Sequence, residues 1–282
     1  MIETWYAIID LLLPFDWAKY VFMKNALLAI ILATPIYAVL GTMVVNNRMA
    51  FFTDFLGHSA LTGIAIGVIC GFKDPTLPMI VLAVGLAVLV NIFKGLTRAS
   101  MDTVLGVFMA FMIALGVVIL SRQGGFVKYT TYLIGDILVV TPQQIQWLGL
   151  LFAFVFIYWY YAGNALILTS VNDSLARSRR VKTFLLETTF SILLAVVVMV
   201  SIRLVGVLII NSLLILPAAA SRNAARNACS YTVLAVMVSL VSGISGLVAS
   251  YYWGTAAGAT IVLFTVACYL ISVLTGRVLF KK

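Results

Sequence analysis

Residues 47–67 read NRMAFFTDFLGHSALTGIAIG, and they place an acid and the only histidine of the chain in a run that otherwise has the composition of a membrane helix. Asp54 and His58 are four residues apart, so on a helix they lie one turn apart on the same face, where a carboxylate oxygen and an imidazole nitrogen could hold one cation. An acid near a helix start is often a cap, and a lone histidine is often a satisfied interior group. Ionisable side chains in lipid are costly and usually face a partner or a water-filled pathway, so this setting favours a metal-ligand pair.

Small residues follow the pair at a regular spacing of four: Ser59, Gly63, Gly67 and Gly71. Small side chains on one helix face let the backbone of a second helix approach closely. The sequence therefore predicts a helix-packing seam beside the ligand pair.

The composition indicates a membrane protein. Of 282 residues, 63% are hydrophobic and 10% are charged, and the mean hydropathy is +1.15, which is more apolar surface than a soluble domain of this size could bury. The net charge of +9 comes mostly from residues between apolar runs, where orientation in the bilayer explains it, so no nucleic-acid partner is expected. Cys70, Cys229 and Cys268 are far apart and form no CxxC pair, so they indicate neither a disulfide framework nor a thiolate metal site.

Nine apolar runs are long enough to cross about 30 Å of hydrocarbon. They lie near residues 25–45, 54–72, 78–95, 103–121, 144–168, 184–202, 204–221, 229–249 and 256–276. The two runs on either side of Arg203 are the ambiguous pair. The sequence thus predicts an all-α, polytopic protein with eight or nine transmembrane helices.

The N-terminal residues differ from these runs. Residues 1–15 are amphipathic and carry Glu3 and Asp10 instead of a basic leader, which favours an interfacial helix ending near Pro14 over a cleavable signal peptide. We therefore predict an interfacial helix over residues 1–18 and a single transmembrane domain over residues 19–282.

Basic residues predict the orientation of the chain. If all nine runs cross, one side receives twelve of them, Arg48, Lys94, Arg98, Arg177, Arg179, Arg180, Lys182, Arg222, Arg226, Arg277, Lys281 and Lys282, and the other side six, Lys19, Lys24, Lys73, Arg122, Lys128 and Arg203. The positive-inside rule makes the larger group cytoplasmic, with the N-terminus outside and the C-terminus inside.

The most basic segment is residues 172–182, NDSLARSRRVK. Asp173 and Ser174 are good N-caps, so the segment could form a short helix parallel to the membrane. Its residues alone fit a plain positive-inside loop equally well. A shorter interrupted stretch, residues 129–142, carries Asp136, for which a cap or turn role is favoured over a place in a vestibule.

Several catalytic signatures are absent from the sequence. Without a G-x-x-x-x-G-K-[ST] motif, the chain cannot cradle ATP phosphates in a P-loop. No H-E-x-x-H, no G-x-S-x-G and no second histidine occur, which leaves few means for an intramembrane hydrolase. A non-catalytic membrane subunit is therefore expected.

Four blocks, in order along the chain, carry a resemblance to a known family. They are DFLGHS at residues 54–59, DTVLG at 102–106, YLIGDIL at 132–138, and VGVL at 205–208 followed by LILPAA at 214–219. Together they resemble the membrane permease subunits of bacterial ABC importers for manganese, zinc or iron(II), the ABC-3 type of metal permease.

This resemblance implies a permease of the vitamin-B12-importer type, also called a type II ABC importer, in the bacterial cytoplasmic membrane. It implies a second permease copy in a homodimer or heterodimer, two cytoplasmic ATPase subunits that hydrolyse the ATP, and an extracytoplasmic metal-binding protein. It also implies that Asp54 and His58 contact the transported divalent metal, with no permanently bound cofactor. The basic segment falls where such permeases place the coupling helix, which assigns Asp173, Ser174, Leu175, Ala176, Arg177, Arg179, Arg180 and Lys182 to the ATPase coupling loop.

The chain departs from the family pattern at four positions. Thr62 stands where the family usually has Pro, Thr53 where it often has Gly, and Arg203 and Asn211 are polar where apolar or small residues are commoner. One carboxylate and one imidazole suit manganese, zinc and iron(II) alike. The alternative function, a secondary metal transporter driven by an ion gradient, often has paired discontinuous helices in two halves, and the sequence shows no convincing internal repeat.

Overall fold

The computed structural model describes residues 2–12, 15–72, 74–97, 99–122 and 136–279, and this part of the chain contains no β-strand. In chain order the helices are α1 (Ile2–Leu12), α2 (Val21–Asn46), α3 (Ala50–Ile69), α4 (Thr76–Leu96), α5 (Met101–Arg122), α6 (Pro142–Val171), α7 (Asp173–Ser178), α8 (Thr183–Val205), α9 (Val207–Arg222), α10 (Ala228–Trp253) and α11 (Ala257–Leu279). Two short 3-10 helices, Asp16–Lys19 and Ile137–Val139, precede α2 and α6. The all-α prediction is confirmed.

Of the two predicted helix counts, the structure supports eight. Within the described ranges, α2 to α6, α8, α10 and α11 are long and apolar enough to cross a membrane. Helix α9 has only 16 residues, or about 24 Å at a rise of about 1.5 Å per residue, which is less than the about 30 Å of a hydrocarbon core. The predicted full crossing near residues 204–221 is therefore wrong. Helix α9 is short because the helical backbone is interrupted at Gly206, which lies inside the apolar run. The φ of Gly206 is +81°, a backbone conformation that favours glycine.

The described helices divide into two compact units. The first comprises Met1–Thr42, Asp136–Ile157 and Ser212–Lys282, and the second Met43–Gly135 and Tyr158–Asn211. In the first unit, a Cβ added at Gly41 would lie 1.8 Å from the carbonyl oxygen of Leu214, and one at Gly246 would lie 2.5 Å from Cα of Ile261. Helix α2 thus packs directly on the backbone of α9, and α10 on that of α11.

Hydrogen bonds fasten helix α1 to the start of α2 in the first unit. Trp5 Nε1 donates to the carbonyl oxygen of Lys24 at 3.1 Å, and the Tyr6 hydroxyl donates to Asn25 Oδ1 at 2.6 Å. Lys24 Nζ pairs with Asp10 Oδ1 at 2.5 Å, although the Lys24 side chain is only 7% exposed. We call these five residues the α1–α2 cluster. The interfacial position of α1 stays a prediction, and its expected end near Pro14 lies outside the described residues.

Helix α3 is the central element of the second unit. It contacts α4, α5 and α8, and α4 also packs against α8. Its span is 72% buried, whereas the spans of α4 and α5 are 39% and 28% buried. The helix that carries Asp54 and His58 is therefore surrounded by protein on most of its circumference.

Two contacts, one in each unit, show which loops lie at the same end of their own unit. In the second unit, Lys94 near the end of α4 pairs with Glu187 near the start of α8 at 2.7 Å, so the loops next to them lie on one side. In the first unit, Asn223 after α9 donates to Ser272 Oγ in the last part of α11 at 3.0 Å, so that loop lies on the side of the C-terminal residues. These loops carry members of the larger basic group.

Candidate functional site

One narrow face of α3 is open, and it carries the predicted ligand pair. The side chains of Asp54 and His58 are 40% and 48% exposed, and Phe51, one turn earlier, is also exposed. The neighbours Phe52 and Phe55 are completely buried. A largely buried helix thus exposes its acid and its histidine on the same face.

The distance between the two groups fits one shared ion. His58 Nε2 and Asp54 Oδ1 are 3.7 Å apart, which is too long for a good hydrogen bond. The separation is shorter than the sum of one Zn–N and one Zn–O bond, about 4.1 Å, so one ion can bond to both atoms at ordinary lengths. The separation is therefore compatible with both atoms binding one ion.

A third side chain reaches the pair from helix α9. Asn211 Nδ2 donates a hydrogen bond to Asp54 Oδ1 at 3.0 Å. Gly57 permits this approach, because a Cβ at that position would lie 2.6 Å from Cγ1 of Val207, the first residue of α9. The structure therefore brings Asn211 from α9 next to the candidate ligands Asp54 and His58 from α3.

The position of the site is defined along α3, which packs closely on α4. A Cβ at Gly63 would lie 2.7 Å from Cα of Met79, the fourth residue of α4. Asp54 precedes Gly63 by nine residues, which is about 14 Å along the axis of a helix that runs antiparallel to α4. Within α3 itself, Asp54 is the fifth and His58 the ninth of 20 residues. The pair therefore lies inside the apolar span of α3, in its first half.

The predicted seam is formed by part of the small-residue ladder. Gly63 faces Met79, and a Cβ at Gly67 would lie 3.1 Å from Cγ of Pro78. Ser59 is buried and donates its hydroxyl to the carbonyl oxygen of Leu56, one turn back. Gly71 does not belong to the seam: it lies in the turn after α3 at φ +74°, and no atom lies within 4 Å of its added Cβ. The extension of the ladder to residue 71 is therefore wrong, because the helix has already ended.

Thr62 has a structural contact that links α3 to α5. Its hydroxyl donates to the carbonyl oxygen of Met112 in α5, and a Cβ at Gly116 would lie 2.8 Å from Thr62 Oγ1. A proline could not make this hydrogen bond. Thr62 therefore fixes α3 against α5, one turn after His58 on the helix stripe that carries Asp54 and His58.

The basic segment forms the six-residue helix α7 and the turn that follows it. Its cap is Asn172, whose side-chain oxygen accepts from the backbone N–H of Leu175 at 3.0 Å, so the expected caps Asp173 and Ser174 are wrong by one or two positions. The turn ends at Arg180, whose backbone is left-handed with φ +60°.

The exposure of this segment is one-sided. Ala176 is buried, whereas Ser174, Leu175, Arg177, Arg179, Arg180 and Lys182 are exposed. Asp173 begins the helix, but its side chain lies outside the described part of the chain. The segment thus offers a leucine, 46% exposed, among several cations at the end of the second unit.

Asp136 caps the 3-10 helix Ile137–Val139, since its side chain accepts from the backbone N–H of Leu138 at 3.0 Å. This is the cap role favoured from the sequence. The preceding residues of its block, 132–135, lie outside the described residues.

Spacing alone could not find Asn211 or Gly57 as parts of the site. Within the described ranges, no group of three or more His, Cys, Asp and Glu side chains is arranged to hold a metal, so the acid, the imidazole and an amide are what α3 and α9 together offer. Two sequence features could have drawn attention to these residues: Asn211 is polar in an otherwise apolar run, and Gly57 lies between Asp54 and His58. Neither signal shows which helices meet.

Comparisons with known proteins agree with this architecture. The model of the ABC 3 transport family matches residues 19–276. The chain is 34% identical over 248 residues, 88% of this chain and 95% of the relative, to the high-affinity zinc uptake system membrane protein ZnuB of Haemophilus influenzae. It is 25% identical over 276 residues, 94% of this chain and 98% of the relative, to a probable iron transport system membrane protein of the same organism.

A solved structure has the same fold. PsaBC from Streptococcus pneumoniae in complex with Fab superposes with a TM-score of 0.79 at 24% sequence identity, and the match covers 96% of this chain and 95% of that one.

Proposed function

This chain belongs to the ABC 3 transport family, and from that premise we propose that it is the membrane permease of an ATP-driven importer whose Asp54 and His58 contact a divalent transition-metal ion. It is a multi-pass membrane protein with eight apolar spans in its described part. Manganese and zinc fit the site, as does iron(II), because a carboxylate oxygen and an imidazole nitrogen are ligands that all three ions accept.

The observation that carries this proposal is the open face of α3. A carboxylate and a histidine that are 40% and 48% exposed within a membrane span would be costly against lipid. They are expected instead to face a water-filled pathway or another protein surface. Since most of the other side chains of α3 are buried, the exposure of these two polar side chains is unusual for this helix.

A second permease copy supplies that surface in the proposal. One chain provides two strong ligands, Asp54 and His58, and transition metals in proteins commonly bind three or four protein groups. Two copies facing each other would double the ligand set and remove the pair from lipid. The partner is a second copy of this chain or a related permease.

The energy comes from separate subunits in this proposal. The chain has no P-loop signature, so ATP hydrolysis is assigned to two cytoplasmic ATPases, and α7 with the turn after it is the segment that meets them. Its exposed Leu175 and its exposed arginines provide an apolar contact with a cationic rim. An extracytoplasmic binding protein delivers the ion on the opposite side, and residues 1–18 form an interfacial helix before the transmembrane domain over residues 19–282.

Uptake of metal by proteoliposomes tests the proposal. The vesicles contain this chain with its ATPase and its binding protein. The uptake of manganese, zinc and iron(II) is compared with and without ATP in the vesicle lumen, which corresponds to the cytoplasm. We expect uptake of at least one ion that requires ATP and persists when ionophores collapse the proton and sodium gradients. Uptake that needs a gradient and no ATP would support the secondary transporter instead.

A further inference from the structure

We infer that Asn211 determines selectivity at the metal site: it positions the Asp54 carboxylate and turns its own amide oxygen toward the ion as a third donor. The inference rests on the proposed function, since it needs a metal that passes Asp54 and His58. It adds a residue to the ligand pair, because Asn211 lies on another helix, α9.

The first support is the hydrogen bond of the amide. Asn211 Nδ2 lies 3.0 Å from Asp54 Oδ1, and His58 Nε2 lies 3.7 Å from the same oxygen. Both groups therefore approach the same carboxylate oxygen, Oδ1 of Asp54. The other oxygen, Oδ2, is bonded to neither of them. The N–H group stabilises the carboxylate charge before an ion arrives, as a buried or membrane-level carboxylate requires.

The second support is the other end of the same amide. Asn211 Oδ1 is buried and accepts no hydrogen bond from the described residues, and such unsatisfied acceptors are uncommon and call for an explanation. The torsion that orients an asparagine amide has two broad minima about half a turn apart. A half turn exchanges the amide nitrogen and oxygen, which brings Oδ1 to the place beside Asp54 that Nδ2 occupies.

These two positions give Asn211 a different role before and after the ion binds. The N–H group suits a negatively charged carboxylate, and the carbonyl oxygen suits a cation that has taken that carboxylate as a ligand. The ligand set becomes two oxygens and one imidazole nitrogen from this chain. Carboxylate and carbonyl oxygens suit manganese, whereas imidazole suits zinc and iron, so the amide shifts the balance of the site toward manganese.

The fold holds Asn211 in reach by close packing. Gly57 contacts Val207, which lies one helical turn before Asn211 in α9. This contact leaves no room for a Cβ at position 57. The chain changes direction at Gly206, whose φ is +81°, just before α9 begins at Val207. The direction of α9, and so the place of the amide, is set at these two glycines.

The test compares Asn211→Leu with the wild-type chain in the reconstituted importer. Leucine has a similar size but can neither donate to Asp54 nor coordinate an ion. Manganese and zinc are each measured as a transported substrate and as a competitor of the other, so that a preference is obtained even if only one is carried. We expect the apparent affinity for manganese to fall about tenfold or more and that for zinc to fall less, as for other residues that support metal ligands.

Two further variants keep the result interpretable. Asn211→Ser, whose shorter side chain has no amide, should change the ratio of manganese to zinc in the same direction and serves if the leucine variant fails to reach the membrane. Ser221→Ala is the matched control on the same helix, because the Ser221 hydroxyl bonds only to the carbonyl oxygen of Pro217 among its described contacts.

The outcomes separate this inference from the function on which it rests. A changed manganese-to-zinc ratio in either Asn211 variant, with the ratio unchanged in Ser221→Ala, supports the inference. An unchanged ratio in the Asn211 variants overturns it, whether or not total uptake falls, because a purely structural role would lower both ions together. Failure of the wild-type importer to move any divalent metal with ATP would instead overturn the proposed function.

Discussion

Two polar clusters in this molecule pair an acid with a base, and they differ in how completely they are satisfied. In the α1–α2 cluster, Lys24 is 7% exposed and its ammonium lies 2.5 Å from Asp10, with hydrogen bonds to the adjacent backbone and to Asn25. On α3, Asp54 and His58 are 40% and 48% exposed and 3.7 Å apart.

The contrast separates a structural cluster from a functional one. A cluster with short internal contacts has little capacity left for a ligand and stabilises the fold. A cluster that keeps its groups apart, and whose third member has an unsatisfied oxygen, retains that capacity at some cost to stability. Substitutions in one cluster should therefore affect mainly transport, and substitutions in the other mainly stability.

The largest effect is expected from the ligand pair. Asp54→Asn and His58→Ala should each abolish metal uptake while the importer still assembles, because each removes one of two strong ligands from a partly exposed position. Uptake is measured in proteoliposomes at equal permease content. Uptake near the wild-type rate in either variant would contradict the assignment of the site.

The seam that supports α3 should give the next largest effect. Gly63→Leu should strongly reduce the amount of assembled permease in the membrane, because even its Cβ would lie 2.7 Å from the backbone of Met79. Gly85→Leu is the control, since nothing lies within 4 Å of a Cβ added at Gly85 in α4. Equal yields of the two variants would show that the close approach of α3 and α4 is not needed for assembly.

Charge reversal at the basic segment should affect energy coupling and leave both clusters unchanged. Arg179→Glu with Arg180→Glu is expected to reduce metal-stimulated ATP hydrolysis or to detach the ATPase during purification, because both side chains are exposed at the proposed contact. Since the change also weakens the positive-inside bias, cysteine accessibility must show that the topology is retained. With topology retained, normal ATPase association and turnover would exclude a coupling role.

A smaller, partial loss of transport is expected from Gly57→Ala. The new Cβ would lie 2.6 Å from Cγ1 of Val207, and the resulting shift should move Asn211 away from Asp54. Adding Val207→Ala removes the clashing methyl group and should restore uptake. If the double variant is as impaired as Gly57→Ala alone, the position of α9 is not set by this contact.

The smallest effect on transport is expected in the α1–α2 cluster, where stability should change instead. Asp10→Ala leaves a charged Lys24 buried without its partner and should lower stability by about 1–3 kcal/mol, whereas Lys24→Met leaves only Asp10, which is 60% exposed and can be hydrated. Thermal unfolding in detergent should therefore show a larger decrease for Asp10→Ala, with uptake close to wild type in both. A loss of uptake at normal stability would mean that this cluster also has a transport role.

Much of the architecture could be predicted from the order of residues along the chain. The apolar runs determined the all-α membrane fold, since only a helix satisfies its own backbone within a single apolar segment, and the i, i+4 spacing determined that Asp54 and His58 share a face. The expected full crossing near residues 204–221 failed because hydrophobicity measures composition, while the length of α9 depends on the backbone of Gly206. The N-cap was misplaced because Asn172 and Asp173 are both suitable caps, and only the hydrogen bond to Leu175 distinguishes them.

The tertiary structure alone decided what surrounds the ligand pair. The sequence specifies which side chains lie together within one helix, because helical geometry is local and repeats every few residues. It does not specify that Asn211 meets Asp54 across 157 positions, that α3 is enclosed except along one face, or that Gly71 falls beyond the seam. Those features arise from the packing of separate helices, which depends on close contacts such as that of Gly57 with Val207 and on no local period of the sequence.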